Sequence, residues 1–140
     1  MTNRSIRALA ATAAILSAVG IATQGGAHHS FAAEFDASRN VVVEGVLTKA
    51  RITNPHSWVY LDVKNKDGSV TNWGFEFSTP SGLHAKGISK EDLHPGLPIK
   101  IEGYLARNGG SFGYSRVATL AGRTVQIGQS FAATRQAALR

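Results

Sequence analysis

Three histidines carry the side chains best suited to metal chemistry in this chain of 140 residues. His28 and His29 are adjacent in "GGAHHSFAAEFD" at residues 25–36, and His56 follows a proline in "NPHSW" at residues 54–58. Imidazole is the commonest metal ligand in proteins, and nitrogen ligands bind copper(II) ahead of nickel and zinc. The pattern therefore predicts a copper site formed by His28, His29 and His56.

Export would create a chain terminus next to these histidines. Two arginines precede an uncharged apolar run at residues 8–22, and small residues follow as far as Ala27. This order is typical of a secretory signal peptide, which we assign to residues 1–27. Cleavage there lets His28 offer both its α-amino group and its ring to one metal ion. Cleavage after Ala22, the alternative, leaves an ordinary histidine pair.

The composition predicts an exported domain with a packed core. The chain is 43% hydrophobic and 17% charged, and it has no cysteine for a disulfide or a lipid anchor. The apolar run is shorter than the ~20 residues of a spanning helix. We therefore expect a periplasmic or secreted protein with no stable membrane insertion after cleavage.

The charge of the expected mature chain is mildly basic. Residues 28–140 contain 13 basic and 9 acidic residues, a net charge of +4. Such a small excess does not favour nucleic acid as a partner. Four cations could still form a basic edge near the second predicted strand: Lys49, Arg51, Lys64 and Lys66.

Alternating apolar residues predict an all-β fold. Five runs are separated by turn residues and by one stretch without a period of two, residues 79–96. The runs are residues 41–52, 56–65, 69–78, 98–107 and 114–127, the last as one bent strand or two, broken near Ala121 and Gly122. Five strands with a short helical insertion between the third and fourth are the order of an OB-like barrel, and a β-sandwich is the alternative.

The predicted domain organisation follows from these runs. A signal peptide is followed by an N-terminal arm, a barrel and a C-terminal tail: residues 1–27, 28–40, 41–128 and 129–140. Pro55 cannot donate to a sheet and should mark a strand boundary. The "KDG" at residues 66–68 predicts a hairpin turn.

The second run places two aromatic side chains on the outer face of the predicted barrel. Val59, Leu61 and Val63 alternate with Trp58 and Tyr60, and we assign the aliphatic row to the interior. Trp58 and Tyr60 then form a candidate ligand-binding platform on which a flat ring can stack.

The N-terminal arm carries two phenylalanines that need an apolar partner. Phe31 and Phe35 are four residues apart and share a face if the segment is helical. We expect them to pack over Trp58 and Tyr60, which would bring the paired histidines toward His56.

The insertion at residues 79–96 contains helix-start chemistry. Ser89 and Asp92 have the spacing of a capping box, which predicts a helical turn from Ser89. His84 and His94 lie in the same insertion, and we interpret both as surface residues.

The chain resembles a family of small secreted bacterial proteins known only as a domain of unknown function. The resemblance rests on "AHHSFAAEFD" at residues 27–36 and "NPHSWVYLDV" at residues 54–63, and it covers nearly all of the mature chain. It implies a signal peptide just before the paired histidines and no established activity. One departure is Ile88, where relatives often have tryptophan, and this puts in doubt any ligand contact that relatives make through the insertion.

These patterns favour a periplasmic protein that binds a small ligand or copper and has no catalytic activity. No HExxH motif, paired cysteines or nucleophile elbow supports hydrolysis, and a metalloenzyme is left open. The alternative is a protein-interaction or structural module without a metal, whose partner would be another periplasmic protein.

Overall fold

The computed structural model describes residues 31–131. The chain divides into two compact units, residues 1–33 and 34–140. Residues 31–34 are helical, and the sheet lies entirely within the second unit. Within the described range, no helix is long and apolar enough to cross a membrane.

Several predictions concern residues outside the described range. They are the signal peptide at residues 1–27, the metal ligands His28 and His29, and most of the tail at residues 129–140. These remain predictions from the sequence.

The described part of the chain is predominantly β, as the alternation predicts. Its six strands are β1 (Phe35–Arg51), β2 (Ser57–Lys64), β3 (Val70–Phe77), β4 (Pro98–Ala106), β5 (Phe112–Leu120) and β6 (Arg123–Gln126), with helix α1 (Pro80–Ala85) between β3 and β4. The strands form one sheet in the order β3-β2-β1-β4-β5-β6, in which neighbours are antiparallel. A further parallel pairing joins β3 to β5.

The turn residues act where the sequence predicts. Pro55 lies between β1 and β2. In the β2–β3 hairpin the Asn65 amide donates to the Ser69 carbonyl at 2.8 Å. Gly68 has a φ of 86°, which suits glycine because it has no Cβ.

The last predicted run divides into β5 and β6, which gives six strands rather than five. Ala121 and Gly122 both have positive φ, 47° and 75°, and the chain reverses there. The predicted break near these two residues is therefore confirmed.

The first strand is longer than predicted. β1 begins at Phe35, whereas the alternation becomes regular at Val41. Phe35 pairs with Ala106 of β4, and the register shifts between Asp36 and Asn40. This irregularity hides the early part of the strand from a search for period-two alternation.

The helical insertion is present, but its cap differs from the predicted one. The Thr79 hydroxyl accepts the Gly82 amide at 3.0 Å and caps α1. Ser89 and Asp92 do make reciprocal hydrogen bonds, with Ser89 N at 2.7 Å from Asp92 Oδ2. They lie in a turn rather than a helix, so the prediction of a helix start at Ser89 is wrong.

The core fills the inner faces of the strands. Val59 and Leu61 of β2 and Phe75 of β3 are fully buried, which confirms the assignment of the aliphatic row to the interior. α1 and the loop after it cover the core with three more apolar side chains: Leu83, Ile88 and Leu93. The side chains that alternate with these inward residues form the outer face of β2, β3 and β5.

Candidate functional site

A histidine–glutamate pair lies at the start of β2. The His56 Nδ1 is 2.9 Å from the Glu76 Oε1. The His56 side chain is 50% exposed, whereas the Glu76 side chain is 11% exposed. A neutral imidazole that donates its Nδ1 hydrogen to a carboxylate keeps a lone pair on Nε2, and this contact with Glu76 leaves the Nε2 side of the ring for another partner.

The alternation of β3 places Glu76 on the outer face. Phe75 and Phe77 point into the core, so Glu76 between them points outward. Its neighbours in the sheet are Trp58 of β2 and Tyr114 of β5. These rings surround a carboxylate in a residue that is 8% exposed overall.

Burial raises the pKa of the Glu76 carboxyl above its ordinary value. The charge of His56 opposes this rise and that of Glu34 adds to it. Burial also raises the pKa of the Tyr114 hydroxyl, which accepts a hydrogen bond from the Gln129 amide at 2.9 Å. Burial is therefore the main cause of the raised pKa of Glu76, and the pairing with His56 partly offsets it.

The stability of the metal-free protein should depend on pH through Glu76. The unfolded chain releases this proton near the ordinary value of about 4.3, and the folded protein releases it at higher pH. Between the two values the folded state holds more protons, so the free energy of unfolding falls as pH rises. Urea unfolding of the wild type and Glu76→Gln from about pH 4 to about pH 7 measures this slope.

The control for this slope is Glu44→Gln, because the Glu44 side chain is 69% exposed and its partner Lys100 lies on the surface. We expect Glu44→Gln to keep the wild-type pH slope and Glu76→Gln to lose it. Parallel curves for wild type and Glu76→Gln would contradict the assignment.

The His56–Glu76 pair has the arrangement of a metal-binding histidine. Such a histidine usually donates its second ring N–H to a carboxylate, which fixes the tautomer and the ring direction. Among residues 31–131, no three histidine or carboxylate side chains are grouped closely enough to hold a metal ion. Within that range His56 therefore offers one ligand, and the other predicted ligands are His28 and His29.

An aromatic strip lies beside this pair on the same outer face. We define it as Trp58, Tyr60 and Phe112. The Trp58 ring centroid is 6.4 Å from that of Tyr60 and 6.3 Å from that of Phe112. Trp58 and Tyr60 are partly exposed and Phe112 is 44% exposed, so part of the strip is accessible to solvent.

Phe35 packs elsewhere than the sequence suggests. Its ring centroid is 5.7 Å from that of Tyr114, within a second aromatic cluster that includes Tyr104 and Phe131. The expectation that Phe35 covers Trp58 and Tyr60 is wrong, because Phe35 opens β1, pairs with Ala106 of β4 and packs its ring against Tyr114. Phe31 is 9% exposed.

Sequence reasoning missed two residues of this site. Alternation places Glu76 between Phe75 and Phe77 on the opposite face of its strand, and residue types alone do not show that it lies beside His56. Phe112 follows the turn residues "NGGS" and precedes the predicted run at residues 114–127, so the pattern does not mark it as part of a strand, although β5 begins there. The interpretation of His84 and His94 as surface residues is confirmed, since both are exposed.

Comparison with known proteins places the chain in a family. A family model described as a family of unknown function, DUF6152, matches residues 15–115. The chain belongs to this family. No curated protein and no solved structure is significantly similar to it.

Proposed function

We propose that this protein is an exported copper-binding protein in which His56 supplies one ligand through Nε2. The observation that supports this most directly is the 2.9 Å hydrogen bond from the other ring nitrogen to the buried Glu76. It holds the ring in one tautomer and one direction before any metal arrives. His28 and His29 complete the proposed ligand set, with the α-amino group of His28 if cleavage follows Ala27.

The proposed fold is an OB-like barrel. The pairings β1–β2, β2–β3, β3–β5, β5–β4 and β4–β1 connect five strands in a closed cycle, which supports this proposal. The position of α1 between β3 and β4 supports it as well. β6 extends the sheet beyond the cycle by pairing with β5.

The proposed compartment is the periplasm or the exterior of the cell. The basic, apolar and small-residue order of residues 1–27 supports export. The motifs that begin at Ala27 and Asn54 support it as well, because they carry the resemblance to a family of small secreted proteins. The chain carries no cysteine, and all the ligands proposed for the copper ion are nitrogen atoms.

Metal analysis of protein purified from the periplasm, together with intact mass, tests this proposal. We expect a chain that begins at His28 and retains about one copper ion per chain, as one ligand set implies. A chain that begins at His28 and retains no copper, nickel or zinc would end the metal proposal. It would leave the alternative of an interaction or structural module.

A small-ligand role is the second candidate. It is favoured by one observation, the partly exposed rings of Trp58 and Tyr60 on the outer side of β2. Aromatic faces on this side of a barrel stack flat rings well. This role does not require a bound metal.

A further inference from the structure

We propose that the aromatic strip binds a small flat aromatic anion, a ring that carries a carboxylate, sulfonate or phosphate group. This inference specifies the ligand class of the small-ligand role and is independent of the copper site. It rests on the rings of the strip and on two cations, Lys49 and Arg51, that the register of β1 places beside them.

A β-bulge puts these cations on the ligand face. Leu47 is buried and pairs with Leu61, but the next paired residue of β1 is Lys49, opposite Tyr60. Skipping Thr48 reverses the alternation, so Lys49 points outward although it lies two residues from a core leucine. The Thr48 hydroxyl donates to the Tyr60 carbonyl at 3.2 Å and holds the bulge.

Two rows of side chains therefore cross the outer face. Directly opposite residues share a face, so each row follows from the strand pairings. The first row is Arg51, Trp58, Glu76 and Tyr114, and the second is Lys49, Tyr60, Gly74 and Phe112. Each row begins with a cation and continues with an aromatic ring.

Gly74 lets two rings of the second row lie close to the backbone of β3. A Cβ at this position would lie 2.8 Å from the Phe112 ring and 3.2 Å from the Tyr60 ring. Its absence lets both rings approach the backbone of β3. Tyr60 and Phe112 cover Gly74, which is buried, and Trp58 meets Phe112 edge-on at an interplanar angle of 79°.

The charges of this face are complementary to an anion. Lys49 and Arg51 are exposed, and neither has an ion-pair partner among residues 31–131. By contrast, Lys100 on the neighbouring strand lies 3.5 Å from Glu44. Glu76, the carboxylate of the first row, is already paired with His56. A ring that stacks on the strip can therefore place its anionic group between the two unpaired cations.

The two tryptophans can serve as NMR probes of ligand binding, because they face opposite sides of the sheet. Trp58 belongs to the strip, whereas Trp73 stacks on the core residue Phe75 at 5.8 Å. We expect naphthalene-2-carboxylate to shift the indole N–H resonance of Trp58 in NMR spectra of the metal-free protein and to leave that of Trp73 in place. Trp73→Phe assigns the two signals.

Variants separate the contributions of charge and stacking. Lys49→Gln with Arg51→Gln should weaken binding about tenfold, and the neutral naphthalene-2-carboxamide should bind the wild type about tenfold less tightly. Phe112→Ala, which lies outside the copper site, should weaken binding by about tenfold or more. The matched control is Lys86→Gln with Lys90→Gln, two exposed cations in the insertion, which should leave the affinity unchanged.

Several outcomes would overturn the proposal. They are equal affinity for the carboxylate and the carboxamide, equal shifts of both indole signals, no shift at Trp58, or tighter binding of a short oligothymidylate than of the naphthalene anion. Wild-type protein that binds naphthalene-2-carboxylate but no copper(II) would retire the copper proposal alone, and wild-type protein that binds copper(II) but no naphthalene-2-carboxylate would retire the aromatic-anion proposal alone.

Discussion

Replacing His56 with alanine should lower the affinity of the exported protein for copper(II) by more than about 100-fold. Removal of the hydrogen-bond partner of a metal ligand costs about 10- to 100-fold, and loss of the ligand itself should cost more. Competitive titration against a chelator of known affinity measures the change. The fold should survive, because the His56 side chain is 50% exposed.

Two further variants make this result specific. Glu76→Gln should weaken copper binding by about 10- to 100-fold, less than His56→Ala, because the ligand remains but loses its charged partner. His94→Ala is the matched control, since His94 is exposed in the insertion and its Nδ1 lies 3.1 Å from the neighbouring Pro95 carbonyl oxygen. Equal losses for His56→Ala and His94→Ala would show that His56 has no special role.

Replacing Phe75 with alanine should destabilise the protein by about 3 to 5 kcal/mol. Phe75 is fully buried at the centre of the core and stacks on Trp73. The loss combines transfer free energy with the cavity that remains when a large core side chain is truncated. Because small domains have about 5 to 15 kcal/mol of stability, the variant should be close to unfolding. Urea denaturation followed by circular dichroism measures the change.

The control for this prediction is Phe112→Ala on the adjacent strand. Phe112 is 44% exposed, and its truncation should cost less than about 1 kcal/mol. A loss of 3 kcal/mol or more for Phe112→Ala, about that expected for Phe75→Ala, would contradict the assignment of the two rings to opposite faces. The pair of variants therefore tests the inner and outer faces of the same part of the sheet.

Much of the fold could be predicted because hydrophobic alternation is a local signal. The inward rows of β2 and β3, the turn at Gly68 and the break at Ala121 all follow from residue types within a few positions. The early part of β1 could not be predicted in this way, because its register shifts between Asp36 and Asn40 and the alternation is interrupted.

The site was only partly predictable because its residues meet through the sheet. His56, Trp58 and Tyr60 were singled out by type and by position near the "NPH" turn. Glu76 and Phe112 were missed, since each joins the site through pairing with a distant strand. Pairing partners depend on register, and a single bulge changes which face a residue occupies.

Lys49 illustrates this limit. Strict alternation from the buried Leu47 would place Lys49 in the core. Residue types alone identify Lys49 only as one of four cations that could form a basic edge. The bulge at Thr48 moves it to the outer face beside Tyr60. The proposed anion site thus depends on one irregularity in β1 that residue types alone do not reveal.

Pulsed EPR of the copper(II)-loaded protein tests the central claim most directly, because the remote nitrogen of each coordinated imidazole gives a countable modulation. The account predicts several imidazole ligands in the wild-type protein and the loss of one in His56→Ala. Identical spectra from the two proteins would contradict it, because His56 would then bind no copper.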